Sequence, residues 1–193
     1  MMMPRSILIA ALGGEGGGVL AEWLVACAER SGLAVQATSV PGVAQRTGAT
    51  SYYVEFMPDP LPTGAAPVFA LVPVPGRVDV LVASELLEAA RMIERGFVDR
   101  EHTLLIAASH RVYTTAEKMQ MGDGRLADDS LHAAAHALAR RYLSIDLRDI
   151  AQRHGTAISA VMFGALAGSA ALPWPRALCE QVIRDSGLGV AAS

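Results

Sequence analysis

The chain has 193 residues, 52% of them hydrophobic and 18% charged, with a formal net charge of −3, a pI near 5.9 and a mean hydropathy of +0.33. That length suits one domain with a real core, and the apolar excess implies either a large core or a face that meets a partner subunit. The acidic balance points away from nucleic acid and anionic membrane as partners, and no run reaches the roughly 18–20 apolar residues of a membrane helix.

The opening MMMPRSILIAALGG has a short apolar run and no small-residue cleavage site, so it reads as a first strand and not as a signal peptide. Within it, RSILIAAL (Arg5–Leu12) is continuously apolar, as a strand buried on both faces must be. Val19, Leu20, Trp23, Leu24, Cys27 and Ala28 then recur at helical spacing, with a stop near Ser31-Gly32. Leu33–Val40 predicts a second strand and Ser51–Phe56 a third, separated by the polar loop GVAQRTGAT. The proline-rich PDPLPTGAAP and PVPGR that follow can be neither helix nor central strand.

Val78–Ser84 is the next expected strand, with Ser84 placed to cap the helix ELLEAARMIERG up to Gly96. His102–Ser109 is another strand, RVYTT a candidate short one, and MGDGRLADDS a turn-rich loop. Asp129 or Ser130 is placed to cap a helix around LHAAAHALARR, and YLSIDL gives the last strand. Helices over DIAQRHG, AISAVMFGALAG and PRALCEQVIRDSG close the chain. Strands alternating with helices predict an α/β fold: a Rossmann-like, mostly parallel sheet with flanking helices and a C-terminal helical segment, all within a single domain over residues 1–193.

Cys27 and Cys179 are far apart, and neither belongs to a CxxC pair, which excludes an iron–sulfur or zinc motif built from this chain. They are expected as reduced core residues, which suits a cytoplasmic protein. His132 and His136 lie four apart on a predicted helix, but without an HExxH glutamate or a third ligand they read as packed or solvated histidines. His110, Arg111 and Tyr113 follow a strand and can border a site. Trp174, in ALPWPR, reads as a packing corner.

The segment Gly13-Gly14-Glu15-Gly16-Gly17-Gly18 sits between a strand and a helix, the setting of a dinucleotide fingerprint, and Gly16, Gly18 and Ala21 fit G-x-G-x-x-A. Against that, the second strand ends Thr38-Ser39-Val40, with no carboxylate for a ribose. Glu15 would repel a pyrophosphate, and no P-loop lysine is present. The glycines can equally serve a tight turn that brings helix and strand together. In the second loop Arg46 is a guanidinium among small polar residues; it can pair with Glu15, bind an anionic ligand or partner, or be solvated.

Together the two loops resemble the gamma domain of the 2-oxoacid:ferredoxin oxidoreductases of the pyruvate/ketoisovalerate type, nearest to the indolepyruvate branch. The family's G-x-G-G-Q-G loop stands here as Ala11-Leu12-Gly13-Gly14-Glu15-Gly16, and its R-G-G turn as Gln45-Arg46-Thr47-Gly48 after Gly42. AISAVMFGALAGSAALPW resembles the family's helical closing section, so the likeness spans nearly the whole chain. Ala11, Glu15 and Thr47 depart from the usual glycine, glutamine and glycine. In some relatives this domain is the first part of a longer polypeptide.

The resemblance implies a subunit that supports oxidative decarboxylation of a 2-oxoacid, an aryl pyruvate such as indolepyruvate, to acyl-coenzyme A and CO2, with electrons passing to ferredoxin. It places thiamine diphosphate with Mg and 4Fe–4S clusters on a large catalytic alpha subunit, with coenzyme A as co-substrate and no cofactor on this chain alone. Ligand or partner contact is assigned to Gly13, Gly14, Glu15, Gly16, Gly17, Gly18, Gln45, Arg46, Thr47 and Gly48; no catalytic residue and no metal ligand is expected here. Two other readings stand beside it: a stand-alone nucleotide-binding Rossmann-like oxidoreductase, and a non-enzymatic binding module.

Overall fold

A computed structural model describes residues 3–41, 49–64, 66–112 and 127–187. The elements run β1 (Arg5–Leu12), α1 (Gly17–Arg30), β2 (Val35–Pro41), β3 (Ala49–Phe56), β4 (Val80–Ala83), α2 (Leu86–Glu94), β5 (Leu104–Ala108), α3 (Asp128–Leu138), β6 (Arg141–Ile145), α4 (Leu147–His154), α5 (Ile158–Gly168) and α6 (Arg176–Ser186). The strands form one sheet in the order β2-β3-β1-β4-β5-β6. β1, β4, β5 and β6 pair in parallel, whereas β3 is antiparallel to both β1 and β2. The reversal has a simple cause. Residues 42–48 are fewer than the dozen or so that a parallel crossover requires, so β2 and β3 must run in opposite directions.

Strand β1 is buried on both sides, as its unbroken apolar run requires. Ile7, Ile9 and Ala11 join Leu20, Trp23, Leu24, Met162, Phe163 and Leu166 on the face covered by α1, α5 and α6. Leu8 and Ala10 join Leu81, Ala89, Met92 and Ala135 on the face covered by α2 and α3. Trp23 stacks on Phe163 with ring centroids 5.6 Å apart, and its Nε1–H donates to Ser186 Oγ at 3.1 Å. Cys27 of α1 and Cys179 of α6 are both free and both buried, and they share one core cluster. Trp174 packs on Phe56 at 5.2 Å, the expected corner.

The proline-rich connection is strapped to the β2–β3 end of the sheet. Glu55, buried within β3, accepts from Tyr53 Oη at 2.5 Å and from the Ala70 N–H at 2.6 Å. Gln36 Nε2 and Thr38 Oγ1 donate to the carbonyls of Ala70 and Leu71. A carboxylate at an inward strand position thus supplies the acceptor that an extended segment, lacking its own ladder, needs.

Two capping expectations are corrected. Glu85, not Ser84, caps α2, accepting from the N–H groups of Leu87 and Glu88. Helix α3 starts at Asp128, ahead of the expected caps Asp129 and Ser130, with Ala127 at the cap position and Asp128 and Asp129 in its first turn. RVYTT gives no strand at Arg111-Val112, and its remainder lies outside the described residues. Among the described residues no helix is long and apolar enough to cross a membrane.

Candidate functional site

β1 is where the winding reverses: β4, β5 and β6 lie to one side of it, β3 and β2 to the other. In open α/β sheets the crevice beyond the carboxyl end of such a strand is where ligands bind. The glycine loop emerges at this edge. So do Ser84 and Glu85 after β4, His110 and Arg111 after β5, and Asp146 after β6. Ala49 pairs with Leu12 and Pro41 with Thr50, so both ends of the 42–48 connection stand at the same edge. Gln45, Arg46, Thr47 and Gly48 themselves lie outside the described residues, as does Tyr113.

Gly13 and Gly14 belong to the turn, closed by the Glu15 N–H donating to the Leu12 carbonyl at 3.1 Å. Gly16 takes a left-handed φ of 76° at the cap of α1. Gly17 and Gly18 form its first turn. The need for glycine is chiefly internal. A Cβ on Gly16 would meet Ser159 Oγ at 2.7 Å, and one on Gly17 would meet the Ala11 Cβ at 2.7 Å and the Tyr52 ring at 2.8 Å. Gly14, at φ 86°, faces open space. Helix α1 begins with no capping side chain and no acid in its first turn. Its leading N–H donors are therefore left for an acceptor from outside the helix.

Glu15 is tied to Ser84: the Ser84 hydroxyl donates to Glu15 Oε2 and accepts from the Leu12 N–H at 3.1 Å. This relay joins the β1 loop to the end of β4. Behind it, Glu85 also accepts from the Val112 N–H at 3.2 Å, so one buried carboxylate caps α2 and anchors the segment after β5. Glu88, 4% exposed, forms an ion pair with Arg91. Burial pushes the Glu85 carboxyl above its ordinary range, against the pull of its N–H donors, with Glu15 adding to the rise. Burial likewise pushes Glu88 up to about 7, opposed by Arg91 and helped by Glu85 and Glu15. His110 is held below its usual value by burial and by Arg148, with Asp146 opposing. The edge is thus a set of backbone donors beside three interacting carboxylates, which suits hydrogen bonding to amides or cations better than a bare phosphate cradle.

Sequence reasoning named Glu15 and Ser84 but missed Glu85 and Glu88. Their signal is two acids, three apart, at the point where an apolar strand turns into a helix. His132 and His136 do not reach this site: His132 Nδ1 lies 2.7 Å from Tyr142 Oη, and His136 packs edge-on to the same ring. Among the described residues no group of three His, Cys, Asp or Glu side chains can hold a metal ion. The two cysteines of the chain cannot supply the four thiolates of a 4Fe–4S cluster.

Solved structures similar to this chain carry the same fold. A 2-oxoglutarate:ferredoxin oxidoreductase from Magnetococcus marinus, with 2-oxoglutarate, coenzyme A and succinyl-CoA bound, matches at TM-score 0.62 and 14% identity; the match covers all of this chain and 29% of that longer one. Subunit PORC of pyruvate oxidoreductase from Thermotoga maritima matches at TM-score 0.61 and 14% identity, over 98% of this chain and 90% of its own. The gamma subunit of a keto/oxoacid ferredoxin oxidoreductase from Geobacter sulfurreducens gives TM-score 0.59 and 16% identity, with the same coverage. In sequence, the indolepyruvate oxidoreductase subunit IorB of Thermococcus kodakarensis is 24% identical over 187 residues, 96% of this chain and 87% of that protein. The pattern of the pyruvate ferredoxin/flavodoxin oxidoreductase family matches residues 6–189, nearly the whole chain, and the chain belongs to that family.

Proposed function

We propose that this chain is the gamma-type subunit of a cytoplasmic 2-oxoacid:ferredoxin oxidoreductase acting on an aryl pyruvate, indolepyruvate first. In that complex the 2-oxoacid loses CO2, its acyl carbon is oxidised and joined to the sulfur of coenzyme A, and the electron pair passes to ferredoxin. The observation that carries the reading is the family match over residues 6–189, joined to the likeness to an indolepyruvate oxidoreductase subunit over 96% of the chain. Thiamine diphosphate with Mg and the iron–sulfur clusters do not fit the described residues, which offer no metal-ligand group. They belong, in this reading, to a large alpha subunit, and the whole of 1–193 acts as one domain docked on it.

The chain's own contribution is the carboxyl edge of the sheet. Gly13, Gly14, Glu15, Gly16, Gly17 and Gly18, with Gln45, Arg46, Thr47 and Gly48, form the surface that meets coenzyme A or the alpha subunit. Gly14, with open space around it, lets an amide-bearing chain approach the turn before α1 closely. Glu15, held by Ser84, offers its remaining lone pairs to an N–H donor or a cation there.

Co-expression with and without the candidate alpha subunit tests the assignment. Coenzyme A-dependent oxidation of indolepyruvate is expected only with both chains present, and faster than oxidation of pyruvate. A nucleotide retained by the isolated chain, with no complex formed, would instead favour a stand-alone nucleotide-binding oxidoreductase. Within the complex, Glu15→Gln keeps an acceptor for the Ser84 hydroxyl but removes the charge. Its expected effect is a loss of about tenfold in subunit affinity or in the KM for coenzyme A, with the melting temperature little changed. If both quantities stay at their wild-type values, the carboxylate has no part in the surface.

A further inference from the structure

The opposite, amino-terminal edge of the sheet carries a second polar feature, outside the site just described. A cavity of about 310 Å³ opens there, where β1, β4, β5 and β6 begin and where α5 ends. Its volume is at the lower end of what small-molecule sites occupy. Three guanidinium groups, Arg5, Arg140 and Arg141, line it against a single carboxylate, Asp79.

That carboxylate is largely committed. Asp79 Oδ2 accepts from the Ser6 N–H at 2.9 Å and from Ser6 Oγ at 3.1 Å. Its contact with Arg5 is 3.5 Å long, well beyond the 2.7–2.9 Å or so of a tight charge-assisted bond. Arg141 reaches only the Ser169 carbonyl, also at 3.5 Å. The Arg140 N–H donates to the Thr103 carbonyl at 3.0 Å, but its guanidinium has no hydrogen-bond or ion-pair partner among the described residues. The cavity therefore holds a surplus of positive charge with its donors weakly used, although it lies on a protein whose net charge is −3.

The backbone of the wall adds an independent mark. Ala170, beside Ser169, is the one non-glycine residue among the described residues with a left-handed φ, at 61°. Such a conformation is costly for a residue with a side chain and clusters at ligand-binding positions. Here it bends the chain after α5 so that the Ala171 N–H returns to Ser169 Oγ at 3.2 Å, which shapes the rim facing the arginines.

We infer that this cavity is an anion site for a phosphoryl-bearing small molecule, with Arg140 and Arg141 as its principal donors and Arg5 swinging from Asp79 to join them. Planar guanidinium forks match the paired oxygens of a phosphoryl group, and three of them neutralise a dianion. The site is separate from the carboxyl edge and does not depend on the function proposed above.

Calorimetric titration of the full chain with inorganic phosphate, pyrophosphate and glycerol phosphate, at constant ionic strength, tests it. Binding with a dissociation constant near or below about 1 mM is expected, weakened roughly tenfold or more in Arg140→Ala/Arg141→Ala. Arg153→Ala, which removes a remote exposed arginine paired with Asp149, should bind as the wild type does. Circular dichroism of the double variant in anion-free buffer should be unchanged, since both arginines are exposed. Heats no larger than those from chloride, or an equal loss in Arg153→Ala, would overturn the inference. So would silence towards all three phosphates while the double variant loses affinity for another protein, because the occupant would then be an acidic side chain.

Discussion

Gly16→Ala is expected to destabilise the protein by about 3 kcal/mol or more, a fall of roughly 10 °C in melting temperature for a chain of this size. Two penalties combine at that position. The left-handed φ of 76° disfavours any side chain by about 1–2 kcal/mol, and the new Cβ would sit 2.7–2.8 Å from the Oγ and Cβ of Ser159. The two can be separated. Gly14 has a similar φ of 86° with open space around it, so Gly14→Ala should show the conformational penalty alone. Gly16→Ala/Ser159→Gly should recover much of the steric share, giving a coupling energy of about 1–2 kcal/mol in a double-mutant cycle. Equal effects at Gly14 and Gly16, with no rescue through Ser159, would mean that the loop's glycines are not set by this contact.

That comparison bears on function, because a glycine loop between strand and helix invites the reading of a nucleotide cradle. Here Gly16 and Gly17 are used up in bringing α1 against Ser159 of α5 and Tyr52 of β3. Gly14 is the glycine that faces open space. Glu15, the residue least suited to a cradle, is held by the Ser84 hydroxyl, so its charge needs no phosphate-binding explanation and no loop of its own.

The fold was legible where one physical rule dominated. A short apolar run rich in strand formers and followed by glycines reads as a strand buried on both faces, and Arg5–Leu12 is one. Apolar residues at helical spacing gave α1, and the turn at Ser31-Gly32 its end. The direction of β3 was also legible in principle, from the shortness of the 42–48 connection. What stayed hidden depends on residues distant in sequence. Nothing local links Glu15 with Ser84, Gly16 with Ser159, or Cys27 with Cys179. Ser84 itself illustrates the difficulty. A serine before a helix is normally its cap, yet here the next residue, Glu85, takes that role because its longer side chain also reaches Val112. Freed from capping, Ser84 turns to the glycine loop.

The burial of Glu85 and Glu88 makes stability fall as pH rises through the weakly acidic range. Glu88 is the sharper case: its folded-state pKa is raised from an ordinary 4.5 to about 7. A raised value means that the native state keeps the proton longer than the unfolded chain does. As pH climbs from 4.5, the unfolded carboxylate ionises first, the native state is left binding more protons, and stability declines until both are ionised near pH 7. Over that window the loss amounts to about 3 kcal/mol at most, and little of it is screened because Glu88 is almost wholly buried. Glu85 is shifted in the same direction and adds to the slope. Arg91 opposes it through its ion pair with Glu88, so Arg91→Ala should steepen the decline. Glu88→Gln cannot ionise, and urea midpoints for it should fall much less than those of the wild type between pH 5 and pH 7, crossing above them near neutrality. Parallel midpoint curves for the two proteins across that range would show that Glu88 is ionised at pH 5, held charged by Arg91 in spite of its burial.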